Sequence, residues 1–112
     1  FVQGLLEGGT LDGVRILGRK TVELALQNSL PPGASVFDPS QGWGLFSALR
    51  LEGPPASEPG SAGSFTWSGA ATTHFIADPS EDLIALVFAQ HLPFDEHQLF
   101  PRFRSAVYQA LE

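Results

Sequence analysis

The chain sets short apolar clusters between turn residues, and the clusters carry two different periods. Phe1, Val2, Leu5 and Leu6 share one helical face, and Gly8-Gly9 follows as a stop. So short a helix with no capping residue ahead of it is weak on its own, so it reads as the end of a longer one. Leu11-Asp12-Gly13 predicts a turn, and Val14 to Leu17 a short extended segment. Gly18 opens a second helix over Arg19 to Gln27, carrying Val22, Leu24, Ala25 and Leu26. Pro31-Pro32-Gly33 prevents its continuation.

From residue 42 the pattern changes to strands. Gly42 to Leu49 predicts one strand, glycine-rich at its start. Residues 53–63 (GPPASEPGSAG) predict a flexible loop. Ser64 to Ser68 is extended, and Thr73 to Ala77 is a strand. The turn signal Asp78-Pro79-Ser80-Glu81-Asp82 joins it in a hairpin to Leu83–Ala89. That last segment, LIALVFA, is continuously apolar, the pattern of a strand buried on both faces. A closing helix is predicted from Asp95 to Leu111, with Phe100, Phe103, Val107 and Leu111 at helical spacing. Pro101 suits the first turn of a helix better than its middle, so the helix is expected to restart there. The fold class is α/β of the α+β kind: an antiparallel sheet flanked by helices, incomplete by itself. Residues 1–30 form a helical part, 42–90 the strands, and 95–112 the last helix. A strand buried on both faces needs a layer on each side. The last helix covers one side, and a segment outside this chain is expected to supply the other.

Composition points the same way. The 112 residues are 43% hydrophobic and 16% charged, with 12 Gly and 9 Pro. Ordinary soluble domains carry roughly 25% charge, and small ones have the most surface to solvate. The chain also opens on FVQGLLEGG and contains no Met, so the expectation is a piece of a larger protein. Six basic against twelve acidic residues give a net charge of −6, which argues against nucleic acid or an anionic membrane surface as partner. No apolar run reaches the length of a transmembrane helix. The absence of Cys removes disulfides, thiolate nucleophiles and Cys-ligated zinc.

Three stretches carry a family resemblance: LEGGTLDGVRILGRKTVELA, GWGLFSALR and GSFTWSGAATTHFIADPSEDLIALVFAQ. With the closing helix they resemble the C-terminal part of serine β-lactamase-like hydrolases. That family includes class C β-lactamases, penicillin-binding proteins and related esterases. Its catalytic set is a Ser-x-x-Lys, a Tyr-x-Asn or Ser-x-Asn, and a Lys-Thr-Gly triplet or variant. The first two are absent here: Leu17 stands three before Lys20, and Tyr108 is followed by Gln109 and Ala110. The third resembles Trp67-Ser68-Gly69. By that resemblance the triplet lies on an edge strand lining the cleft, and Gly69 lets substrate approach the backbone. The Ala70 N–H is then one of two oxyanion donors, worth ~3 kcal/mol in an acyl-transfer transition state. Ser68 is expected to hydrogen-bond an acyl substrate or the catalytic Tyr. Trp67 replaces a cationic Lys with a flat neutral face, which points away from penicillin-like substrates and toward neutral esters.

Other candidates rank lower on residue chemistry. Trp43, between two glycines, reads as packing or cleft wall. Ser68 has no Lys or His beside it in sequence, so it is not a nucleophile candidate. His74, His91 and His97 show no ligand-pair spacing, and no metal or cofactor is expected. His74 and Asp78 bracket a strand and are candidates to pair. Asp95, Glu96 and Ser80-Glu81-Asp82 read as turn and helix-start residues. The resemblance implies an esterase acting through an acyl-serine, whose Ser, Lys and Tyr lie in an N-terminal portion that is this chain's partner. Its substrate is a small-molecule ester. An acyltransferase or β-lactamase of the same family is the alternative within enzymes. A non-catalytic binding protein is the alternative outside them.

Overall fold

The computed structural model describes residues 1–54 and 56–112. Of the 53–63 loop, Pro55 lies outside the described residues. Helix α1 (Val2–Leu6) leads into a small hairpin of β1 (Thr10–Leu11) and β2 (Val14–Arg15). Its turn is Asp12-Gly13, with φ of 49° and 78°, the Asp-Gly geometry that matches strand twist. Helix α2 (Arg19–Ala25) follows, with Gly18 as its N-cap. Five strands come next: β3 (Gln41–Trp43), β4 (Ala48–Arg50), β5 (Phe65–Gly69), β6 (Thr73–Asp78) and β7 (Leu83–Phe88). They form one antiparallel sheet in sequential order, and α3 (Leu99–Gln109) closes the chain. The α+β class with an antiparallel sheet flanked by helices is the observed one.

The register sorts side chains to the two faces. Phe65 pairs with Ala77, Thr66 with Ile76, Trp67 with Phe75 and Ser68 with His74. Direct cross-strand partners share a face. Phe65 and Ala77, both fully buried, join Leu5, Val22 and Leu49 in the core beneath α1 and α2. Burying one such Phe is worth about 1.5–3 kcal/mol. The other face carries Thr66, Ser68, His74, Ile76 and Asp78, and α3 lies over it. Phe100 stacks on His74 with ring centroids 4.4 Å apart, and the Tyr108 hydroxyl donates to Asp78 at 2.7 Å.

Two expectations are corrected. The single strand over Gly42–Leu49 is two strands, β3 and β4, turning at Gly44–Ser47. Gly44 is why: a Cβ there would strike the Ala25 carbonyl, and that close approach seats the turn against α2. The Leu45 N–H donates to the same carbonyl at 3.0 Å. Within this chain the segment LIALVFA is the outer strand of the sheet, with Leu86 and Phe88 exposed. The last helix starts at Leu99 rather than Asp95, because residues 94–97 form turns and Asp95 and Gln98 take positive φ. Pro101 stands in its first turn, where a missing N–H costs nothing. Among its described residues the 53–63 loop makes contacts with β4, β6 and α3. Glu58 accepts from Arg50 through its carbonyl at 3.0 Å and pairs with Arg104 at 3.3 Å, and the Ser61 N–H donates to Asp78 at 2.9 Å.

Candidate active site

The β5–β6 hairpin positions Trp67, Ser68, Gly69 and Ala70. The pairing of β4 with β5 ends at Ala48 opposite Thr66, while β6 pairs with β5 through Gly69. Strand β5 is therefore the middle strand of five, not an edge strand, yet Trp67–Gly69 form a local edge on the β4 side. Gly69 has a structural demand of its own: a Cβ there would collide with Thr73 Oγ1 across the hairpin. Ala70 stands exposed at the turn, and its N–H has no hydrogen-bond partner among the described residues. The Thr72 N–H closes the turn onto the Gly69 carbonyl at 3.0 Å.

Trp67 is 39% exposed and built into an aromatic group. Trp43 meets it edge-on with centroids 4.5 Å apart, and Phe37 stacks on it at 6.1 Å and 18°. Trp43 thus packs against Trp67. Beside them lies a cavity of about 510 Å³. Trp67, Ser68 and Ala70 line one side, Phe94 and Phe100 another, and the Arg104–Glu58 pair a third. Gln41 also lines it and has a buried Oε1 with no partner among the described residues. The exposed wall area is mostly apolar, and the charged side chains on it are Asp95 and the paired Arg104 and Glu58.

Ser68 has a partner that its sequence neighbours did not reveal. Its Oγ lies 2.8 Å from His74 Nδ1, and His74 Nε2 is 3.3 Å from Thr66 Oγ1. Thr66 donates its own hydrogen to the Phe75 carbonyl at 2.5 Å, so its oxygen is left to accept from His74 Nε2–H. Burial lowers the His74 pKa to about 4, the Arg104 charge adds to this, and the Trp67 carbonyl and Asp95 carboxylate oppose both. A neutral imidazole with its proton on Nε2, the tautomer that the Thr66 bond assigns, leaves Nδ1 to accept the Ser68 hydrogen. In that tautomer Ser68 keeps lone pairs, and no hydrogen, for a further partner. The signal was present in the turn length: three residues between the strands place Ser68 opposite His74.

His74 and Asp78 do not pair. Asp78 instead takes Tyr108, Ser61 and Ser80 as donors. Asp95 does serve the start of α3, accepting the Phe100 N–H at 3.2 Å. Spacing also failed to flag His91, Glu96 and His97, which the 90–98 loop brings together.

No family model matches the chain. Two curated relatives, proteins Rv1367c and MT1414 of Mycobacterium tuberculosis, are each 37% identical to it over 103 residues. The match covers 83% of this chain and 26% of each relative, so the chain spans about a quarter of their length. Among solved structures, simvastatin synthase LovD of Aspergillus terreus superposes with a TM-score of 0.75 at 23% identity, covering 99% of this chain and 32% of that one. EstCE1, described as a hydrolase with promiscuous acyltransferase activity, gives 0.74 at 22%, covering 96% and 27%. A penicillin-binding protein homolog of Caulobacter crescentus gives 0.69 at 21%, covering 98% and 30%. The chain has the fold of the C-terminal part of serine β-lactamase and penicillin-binding proteins.

Proposed function

We propose that this chain is one wall of an acyl-transfer site in a serine hydrolase, and that the enzyme is an esterase for neutral carboxylic esters. The observation that carries the reading is the Trp67–Ala70 segment itself. It puts an unpartnered backbone N–H beside an uncharged aromatic wall at the mouth of an apolar cavity. Nucleophile and base come from the rest of the protein. Their Ser attacks the ester carbonyl, the alcohol leaves, and water then releases the acid from the acyl-serine. Ala70 N–H is one donor to the oxyanion that forms in each step.

Two features favour esters over β-lactams. Trp67 offers no cation to a substrate carboxylate. Ser68, with its hydrogen held by His74, offers no donor to one either. An acceptor oxygen at that place suits the hydroxyl of the catalytic Tyr or of an incoming alcohol. The second point also supports transfer to an alcohol as a second reading, in line with the described acyltransferase activity of EstCE1.

The test is to assay the intact protein on p-nitrophenyl esters of several lengths beside nitrocefin, as wild type and as Trp67→Ala. Esters should turn over faster than nitrocefin. Trp67→Ala should lower ester kcat/KM about five- to tenfold, the loss of one aromatic contact of ~1 kcal/mol. Added alcohol separates hydrolysis from transfer by its products. A folded protein with no ester turnover, or with nitrocefin as the faster substrate, would overturn the reading.

A further inference from the structure

The segment between β7 and α3 lends Phe94 and Asp95 to the cavity wall and carries a second group of side chains as well. It gathers His91, Glu96 and His97 on the surface, with one ligand-type atom from each lying within 4.8 Å of the others. His91 Nε2 is 2.8 Å from Glu96 Oε2, and His97 Nε2 is 3.8 Å from the same oxygen. The two imidazole centroids are 4.7 Å apart. In a tetrahedral site with metal–ligand bonds of about 2.0–2.1 Å, donor atoms stand about 3.3 Å from one another. The two nitrogen–oxygen separations lie on either side of that value. Small side-chain rotations therefore bring both imidazoles and the carboxylate to one centre.

The backbone that presents them is already held. Buried Thr72 donates through Oγ1 to the His91 carbonyl at 2.9 Å and accepts the Asp95 N–H at 3.2 Å. The His91 N–H donates to the Ala71 carbonyl at 3.1 Å. An ion would not have to order this segment, so little of its binding energy is spent on chain entropy.

The donor set narrows the ion. Mg²⁺ and Ca²⁺ take oxygen ligands, whereas imidazole suits Zn²⁺, Co²⁺, Ni²⁺ and Cu²⁺. We propose that His91, Glu96 and His97 bind a divalent transition metal of the zinc class through three protein ligands, with a further position open to water. The plain alternative is a surface hydrogen bond between His91 and Glu96 with His97 alongside, which binds no ion.

The experiment titrates the intact, metal-stripped protein with Zn²⁺ by calorimetry and with Co²⁺ by visible absorption, Mg²⁺ serving as control. The wild type should take up one ion with Co²⁺ ligand-field bands, and Mg²⁺ should give no signal. His91→Ala, His97→Ala and Glu96→Gln should each weaken binding at least ~10-fold, the range that loss of outer-shell support alone can reach. The His91 and His97 ring signals should shift on Zn²⁺ binding, and those of buried His74 should not. Those ring signals decide the matter in the wild type should a variant fail to fold. No ligand-field bands, binding unchanged in the variants, or unmoved His91 and His97 signals would overturn the proposal.

Discussion

Replacing Tyr108 by Phe removes a single oxygen from the contact between α3 and the sheet and leaves the ring in place. That oxygen donates to Asp78 Oδ2 at 2.7 Å. The same carboxylate accepts the Ser61 N–H at 2.9 Å and the Ser80 N–H at 3.1 Å, and its residue is fully buried. Burial alone would push the Asp78 pKa up; the donors from Tyr108, Ser61 and Ser80 outweigh it and hold the carboxyl below its ordinary 3.8. A hydrogen bond to a charged group contributes about 1.5–3 kcal/mol, so Tyr108→Phe should cost roughly 2 kcal/mol at pH 7. The sign with pH follows from the lowered pKa. Asp78-linked stability is complete above the unfolded carboxyl's value of about 3.9 and is lost as pH falls through the lower folded value. In acid the bond joins two neutral groups, worth about 1 kcal/mol. Urea unfolding of the intact protein, wild type against Tyr108→Phe, should therefore show the gap narrowing between pH 7 and pH 2–3. In an Asp78→Asn background the Tyr108 change should cost less than it does alone. A gap that stays constant with pH, or one below ~0.5 kcal/mol at pH 7, would refute the argument that a charged acceptor carries this contact.

Two further outcomes are expected. The His74 ring should titrate near pH 4 by NMR, against 6.5 for an ordinary imidazole. Because its folded pKa is depressed, stability should be full above ~6.5 and fall as pH drops toward 4; a His74 midpoint at 6.5 or higher would sink the assignment of Ser68 as donor. Gly69→Ala should destabilise by about 1–3 kcal/mol through its collision with Thr73 Oγ1. Thr73→Ala in the same chain should recover most of that in a double-mutant cycle, and an unrelieved cost would place the strain elsewhere.

How far the molecule was legible depends on the reach of each contact. The β6–β7 hairpin was readable because its period and its turn residues lie within one short window. The split of Gly42–Leu49 was not. It hangs on the Gly44 backbone meeting the Ala25 carbonyl, a contact between segments far apart in sequence. The run LIALVFA reports what a strand can bury, but the neighbour that would cover Leu86 and Phe88 cannot be read from it. The start of α3 was missed by four residues, although Asp95 was rightly seen as a helix-start residue. It caps from a distance, through a turn with a left-handed residue at Gln98. At the candidate site, Trp67 to Ala70 could be singled out by resemblance. The chemistry of Ser68 could not, because it depends on a partner supplied by register and on a proton count running through Thr66 and Phe75.

The two ends of β6 show how such long-range groups position that site. At one end Thr72, 2% exposed, ties the hairpin turn to the 90–98 loop through the His91 carbonyl and the Asp95 N–H. At the other, Asp78 ties the strand to the 53–63 loop through Ser61 and to α3 through Tyr108. Neither side chain has water to fall back on, so each loses a full hydrogen bond if its loop moves away. Asp95 then carries the connection on to α3 by accepting the Phe100 N–H, and Phe100 returns to the sheet by stacking on His74. The chain of contacts runs from the turn that carries Ala70, out through loop and helix, and back to the strand beside Ser68. The Ala70 N–H proposed as an oxyanion donor and the Ser68 hydroxyl next to it are thus held by the loop and helix contacts as well as by the hairpin. A change in the 90–98 loop should therefore be felt first at Ala70, whose own N–H has no partner to restrain it.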